Sequence, residues 1–255
     1  HHSTGAKFVD PVTELNKRAP AAPAAESGVS SDIEVIVDDN NPIHGVTGCD
    51  RYVARAIHGF DPTNHTPNWM RRRLIRAGMR SISLAVDVTN YVMLDLGQPM
   101  HAYDLDKIEG PIVVRRAAEG EKLTTLDGKE HDLSVEDLLI TDSPDGNRGS
   151  RILGIAGVMG GLYGEVTADT KNILLEAAHF DSVSIARSAR RHKIPSEASR
   201  RFERGVDTQL QPAAAQMAAE LLTKFGNGEP SGHPTDVNTT MYRRPIPFKA
   251  TEVAR

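Results

Sequence analysis

Strand-like segments fill the first two thirds of this 255-residue chain in clusters, and the last third turns helical. That order constrains the fold more than any other feature. Strands and helices that do not alternate strictly argue against a doubly wound parallel sheet and for an α+β arrangement. IEVIVDD (33–39), RYVARAI (51–57), IVVRRA (112–117), KLTTL (122–126) and DLLITD (137–142) read as strands. LDGKEHDL places an Asp-Gly hairpin turn between two of them. SRILGIAGVMGGLYGEV (150–166) runs from a strand into a glycine-rich turn, and NILLEAAHF (172–180) is a further apolar strand. The expected core is a β-sandwich-like mixed or antiparallel sheet flanked by helices.

The helices carry their own punctuation. TPNWMRRRLIRAGM (66–79) starts with a Thr cap and a Pro in the first turn, shows Trp69, Leu74 and Ile75 as an apolar stripe, and stops at Gly78. VDVTNYVMLDLG (86–97) reads as a helix ending at Gly97, although its β-branched residues dilute the pattern. SVSIARSARRHK precedes Pro195, SEASRRFERG opens on a capping Ser196, and QLQPAAAQMAAELLTKF (209–225) is amphipathic and closed by Gly226 and Gly228. FVDPVTELNKR has the makings of a short helix, and RAPAAPAAESGVSS (18–31) reads as a linker. The opening HHSTGA resembles the remnant of an affinity tag, and PIPFKATEVAR at the end begins a new strand.

A formal net charge of -4 means that any nucleic-acid contact must come from a local basic patch. One cysteine, Cys49, excludes an intrachain disulfide and points to a reducing compartment. No apolar run reaches the roughly 18 residues of a membrane helix. The expectation is a cytoplasmic protein with no membrane partner.

Four features bear on chemistry. GQPMHAYD (97–104) places His101 ahead of Asp104 and Asp106, as a ligand, a catalyst or a packed histidine. A dedicated metal site wants three or four ligands, and neither HExxH nor paired CxxC occurs. Glu176 and His179 form a single Ex2H on a strand, where residues i and i+3 point to opposite faces, so no metal is expected. The glycines of GVMGGLYGEV fit neither a P-loop nor a dinucleotide loop, which leaves a tight turn or a close approach of backbone to ligand. Glu176 is a carboxylate inside an apolar run, where burial costs several kcal/mol unless a partner meets it. That partner is either an arginine or a polar group of a ligand. Residues 187–204 hold seven Arg/Lys against two Glu, a solvated helical face or a contact with a phosphate backbone.

VDVTNYVMLDLGQPMHAYDLDKI, the GIAGVMGG turn, NILLEAAHF and SEASRRFERGVD occur in one order and spacing. Together they resemble the B3/B4 editing region of the β subunit of bacterial phenylalanyl-tRNA synthetase, over about residues 48–228. The resemblance implies a tag remnant (1–5), a segment leading in (6–45), the B3/B4-like domain (46–240) and the start of a following domain (241–255). A fragment of a longer β subunit is expected, in the full-length case joined to an α subunit as α2β2 and using ATP and Mg for ligation.

What the resemblance implies is hydrolysis of tyrosine mistakenly esterified to tRNA(Phe), with no cofactor needed for editing. A pocket shaped for phenylalanine rejects an added hydroxyl only about a hundredfold, so a second, hydrolytic site must do the rest. By the same resemblance, Glu176 accepts the phenolic proton, and His101 positions water or acts as general base near the ester. Thr89 offers a hydroxyl nearby, and Gly160 borders the amino-acid pocket. Ala198 leaves room for the substrate beside Ser196, where some relatives carry threonine. Arg190, Arg191, Lys193, Arg200 and Arg201 become the tRNA-facing surface. Two other functions compete: a non-catalytic tRNA-binding or scaffold module, and a metal-dependent small-molecule hydrolase.

Overall fold

The computed structural model describes residues 9–21, 32–241 and 247. In chain order the first half forms α1 (Pro11–Arg18), β1 (Val35–Asp38), β2 (Cys49–His58), α2 (Asn68–Arg76), α3 (Leu84–Leu96), β3 (Met100–Asp104) and β4 (Ile112–Arg116). Then come β5 (Lys122–Thr124), β6 (Glu130–Asp132), β7 (Leu138–Asp142), β8 (Arg151–Ile155), β9 (Met159–Gly160) and β10 (Ile173–Phe180). The last third holds α4 (Ser182–His192), α5 (Glu197–Phe202), α6 (Leu210–Gly226), β11 (Glu229–Pro230) and β12 (Thr235–Asn238).

Two five-stranded assemblies face each other. One has the order β1-β4-β7-β8-β9, parallel only at β1–β4. The other is antiparallel, β11-β2-β10-β3, with β12 also on β2. The α+β expectation with a sandwich-like core holds. Leu174, Ala178 and Phe180 of β10 pack into one cluster with Val114, Ile140 and Leu153 of the other sheet, while Ile173 and Leu175 pack with residues of α2, α3 and α6. The alternation along β10 thus splits the protein into an inter-sheet core and a helix-side core, as a strand buried on both faces must. Each fully buried aliphatic side chain contributes about 2 kcal/mol on transfer from water.

Local signals explain most element ends. Gly97 closes α3 in the left-handed region (φ 82°), where a glycine avoids the Cβ clash. Ser196 caps α5 in a reciprocal box with Ser199. Asp-Gly at 127–128 joins β5 to β6.

Three details differ from the sequence reading. The N-cap of α2 is Pro67, and no side chain caps the helix. The Thr66 hydroxyl donates to Asp87 Oδ2 at 2.6 Å instead, because that carboxylate also gathers Ser81 and the Ile82 N–H and fixes the link between α2 and α3. The face that α2 buries is Met70 and Leu74, whereas Trp69 and Ile75 stay exposed. Gly226 lies within α6, and Asn227 is its left-handed cap. Gly226 is small because a Cβ there would meet the Phe60 ring at 2.5 Å. The tag remnant, most of the linker and nearly all of the final segment lie outside the described residues.

Candidate functional site

Antiparallel pairing places Glu176 on β10 directly opposite His101 on β3, and opposite Ala54 on β2 from the other side. Cross-strand partners share a face, so both side chains enter the inter-sheet space. Glu176 keeps 7% of its surface exposed. No arginine among the described residues meets it. The Tyr52 hydroxyl donates to Oε2 at 3.0 Å and the Tyr103 hydroxyl donates to the same oxygen at 2.7 Å. Among the described residues Oε1 has no hydrogen-bond partner. Burial pushes the Glu176 carboxyl up to about 6, with the two phenols pulling it back. The same burial and the adjacent carboxylate push both tyrosine hydroxyls well above their usual range, so they remain donors.

His101 lies edge-on to Tyr103, ring centroids 4.4 Å apart. It keeps partial solvent access through the cavity, yet the packed protein around the ring pushes its pKa down to about 4. The imidazole is therefore neutral at pH 7, and neither ring nitrogen bonds to a described residue. It can orient a water or a carbonyl. As a proton acceptor near neutrality it is weak, which favours positioning over the general-base alternative.

These groups line a cavity of about 70 Å³, with Gly160, Met100, Ala198 and Phe202 in its wall. The need for glycine at 160 is steric: a Cβ there would stand 2.8 Å from His101 Cε1 and 2.9 Å from Nε2. The glycine permits a close approach, but the group approaching is the protein's own histidine. Gly157, at φ 64°, is likewise packed by Phe202 and Phe180.

Of the expected site residues, Glu176, His101, Gly160 and Ala198 come together at this cavity. Thr89 is buried in α3 with its hydroxyl donating to Val86 O at 2.8 Å, and it does not line the wall. Ser196 is occupied as a helix cap and stands next to the wall rather than in it. Glu176 and His179 sit on opposite faces of β10, and His179 Nδ1 meets Asp50 at 2.5 Å. Cys49 is fully buried at the start of β2, where burial pushes its thiol well up and leaves it no nucleophile.

The basic run is partly neutralised. Arg191 pairs with Glu136 and Asp137, and Arg200 and Arg201 pair with Glu197 at 3.1 and 2.9 Å. Arg190 and Lys193 are exposed, with no carboxylate partner among the described residues. Arg71, Arg72, Arg73, Arg76 and Arg80, on or just after α2, are exposed and lack such partners too. Reading the sequence overlooked this second patch, although five arginines without one acidic residue between 68 and 80 announce it. Tyr52 and Tyr103 were also missed, because only strand register brings their hydroxyls to Glu176.

Residues 48–227 match the B3/4 domain family. Three relatives bear the name phenylalanine–tRNA ligase beta subunit. That from Bifidobacterium longum is 80% identical over 255 residues, covering 100% of this chain and 29% of the relative. That from Leifsonia xyli is 50% identical over 245 residues, covering 96% and 27%. That from Pectobacterium atrosepticum is 41% identical over 246 residues, covering 96% and 29%. The chain thus spans less than a third of the length of these relatives. A solved N-terminal fragment of the Pyrococcus horikoshii phenylalanyl-tRNA synthetase beta subunit superimposes only loosely, with a TM-score of 0.41 and 18% identity over 70% of this chain and 54% of that one.

Proposed function

The chain belongs to the B3/4 domain family, and we propose that it hydrolyses the ester joining wrongly attached tyrosine to tRNA(Phe). One observation carries the reading. Among the described residues Glu176 is a buried carboxylate without a cationic partner, and one of its oxygens is unpartnered beside a cavity that His101 also lines. A tyrosine side chain entering that cavity would donate its phenolic proton to Oε1. Phenylalanine would leave the oxygen unpaired, a difference of about 2 kcal/mol or roughly thirtyfold.

Tyr52 and Tyr103 hold Oε2, so the carboxylate presents Oε1 as an acceptor with a fixed orientation. His101, neutral at working pH, would hold the attacking water or the ester carbonyl. Water adds to the carbonyl carbon, the tetrahedral species collapses, and tyrosine leaves from the terminal ribose oxygen, which regains a proton. An aminoacyl ester is already activated, so orientation can supply much of the rate. A hydroxyl of the terminal ribose would assist; neither Thr89 nor Ser196 is placed to do so directly.

In the longer protein, this domain would serve ATP-dependent phenylalanine–tRNA ligation with an α subunit in an α2β2 assembly in the cytoplasm. ATP and magnesium belong to that ligation. The glycine-rich turn here is filled by His101 and Phe202 and leaves no room for a phosphate. No helix among the described residues is long and apolar enough to cross a membrane.

The test is incubation of the chain with preformed tyrosyl- and phenylalanyl-tRNA, with and without a chelator. Preferential, chelator-insensitive release of tyrosine is expected. Retention of tRNA on a filter without release would instead make the chain a non-catalytic module. Ala198→Trp fills the cavity wall and should cut tyrosine release per folded molecule at least about tenfold, at a stability cost of about 1–3 kcal/mol from the added bulk beside the core. Unchanged hydrolysis would remove Ala198 from the site.

A further inference from the structure

Helix α2 shows the solvent little but arginine. Met70 and Leu74 form its buried stripe, and at about 100° per residue Arg72 and Arg76 project from the opposite side, with Arg71 and Arg73 on the flanks. Arg80 follows in the link to α3 and is exposed as well. No acidic residue lies between Asp61 and Asp87, and Asp87 is buried and already accepts from Thr66, Ser81 and the Ile82 N–H. Elsewhere arginines find acids: Arg51, Arg115, Arg116 and Arg151 each meet a carboxylate within 2.9 Å.

Folding does not account for this concentration of charge. Arg73 and Arg76 complement the negative end of the helix dipole, but Arg71 stands in the first turn, at the positive end, where no acidic side chain offsets it. Arg72 and Arg76 are like charges one turn apart, a pair that weakens a helix. Arg73 has an internal task, donating from Nη1 to the Tyr91 hydroxyl at 2.8 Å beside the Trp69 ring. Arg71, Arg72, Arg76 and Arg80 donate to no described residue. Two open hollows of about 340 and 440 Å³ share Arg71 and Ser81 in their walls and so form one track past the helix. Ile82 lines the first and Ile75 the second, 68% and 55% exposed.

We propose that the outer face of α2 and its link to α3 form the surface on which an RNA sugar-phosphate backbone lies, with Arg71, Arg72 and Arg76 on the phosphates. A small anion would engage one or two of these spread, exposed cations, whereas a chain of phosphates engages them together and releases its own counterions. Arg72 and Arg76 are about 6 Å apart along the axis, so a strand following the helix meets a cation at each turn. Ile75 and Ile82 give the sugars an apolar contact between the charges. The run at 187–204 is the weaker surface, because Arg191, Arg200 and Arg201 there are already paired. The choice of RNA over other polyanions rests on the proposed function; the surface itself does not.

The 255-residue chain would be titrated against a fluorescently labelled, unacylated tRNA(Phe) transcript, with anisotropy read at several salt concentrations. The triple variant Arg71→Gln, Arg72→Gln, Arg76→Gln should bind at least about tenfold more weakly and lower the slope of log Kd against log salt by about two. Its melting temperature should not fall, since the change relieves like-charge repulsion. Lysine at the same three positions should restore most of the affinity, because phosphate attraction needs the charge more than the fork. Arg190→Gln with Lys193→Gln should cost less than the triple change. No saturable binding by the parent chain, or the same affinity and salt slope in the triple glutamine variant, overturns the proposal. So does a larger loss in the 190/193 variant. Tighter binding to phosphatidylserine vesicles or to polyglutamate than to tRNA also overturns it, and would assign the face to a membrane or to an acidic protein. Ester hydrolysis is not among the readouts, so this surface and the Glu176 site fail separately.

Discussion

Asp137, just before β7, is fully buried and accepts from Ser188 at 2.6 Å, from the Ser134 N–H at 2.8 Å, from His192 at 2.7 Å and from Arg191. Glu176, buried almost as deeply, meets two phenols and a cavity. Burial acts to raise the Asp137 carboxyl, but Ser188, the Ser134 N–H and His192 outweigh it and hold the group below the usual carboxylate range. At Glu176 burial wins. The contrast teaches that depth alone does not mark a functional acid. What marks it is a shell that leaves charge uncompensated and one lone pair unused.

The comparison breaks most visibly at Asp137. Asp137→Ala strands His192 and Ser188 without an acceptor and should cost about 3 kcal/mol in chemical denaturation, while tyrosine release per folded molecule stays unchanged. A cost below about 0.5 kcal/mol would deny the network its structural role.

Glu176→Gln should act in the opposite sense. Glu176 is held near 6 in the fold against 4.5 for the free side chain. Its ionisation therefore opposes folding by about 2 kcal/mol above pH 6, and that penalty fades as pH falls towards 4.5. The amide of the variant does not titrate, so the variant should be the more stable protein at pH 8, with the gain gone below about pH 4.5. It should also lose about tenfold of the preference for tyrosyl over phenylalanyl ester. Wild-type discrimination should fall as pH drops through 6, because a proton on Oε1 turns the acceptor into a donor. A flat pH profile of discrimination argues against Glu176 as the reader of the phenol.

The smallest change sharpens the picture. Tyr103→Phe removes the 2.7 Å hydrogen bond and should raise the Glu176 pKa by up to about one unit, followed by carboxyl NMR, at a stability cost of about 1 kcal/mol. Release from both esters should continue. An unmoved pKa would mean that Tyr103 does not tune the carboxylate.

Local rules carried far in this chain. The strand pattern, the Asp-Gly hairpin, Gly97 and Ser196 each rest on interactions within a few residues and were legible from the sequence. So was the oddity of Glu176 in an apolar run. What failed depended on distant partners: Thr66 turns to Asp87 across 21 residues rather than capping its own helix, and Gly226 answers to Phe60. Thr89, which the resemblance offered beside His101, bonds its hydroxyl inward to Val86 O and does not line the cavity, because a helical hydroxyl finds a carbonyl within its own turn. The charge run at 187–204 could not disclose that Glu136 and Asp137, some 50 residues away, already claim Arg191. Tyr52 and Tyr103 belong to the site only through pairing across three strands.

That pairing has a genetic consequence. Since His101 and Glu176 are neighbours in one ladder, an insertion or deletion of a single residue within β3 or β10 would rotate one of them to the helix side. Histidine and carboxylate must then drift together through evolution or not at all, and any offset has to be absorbed beyond the pair, as the irregularity between His179 and Phe180 already absorbs one.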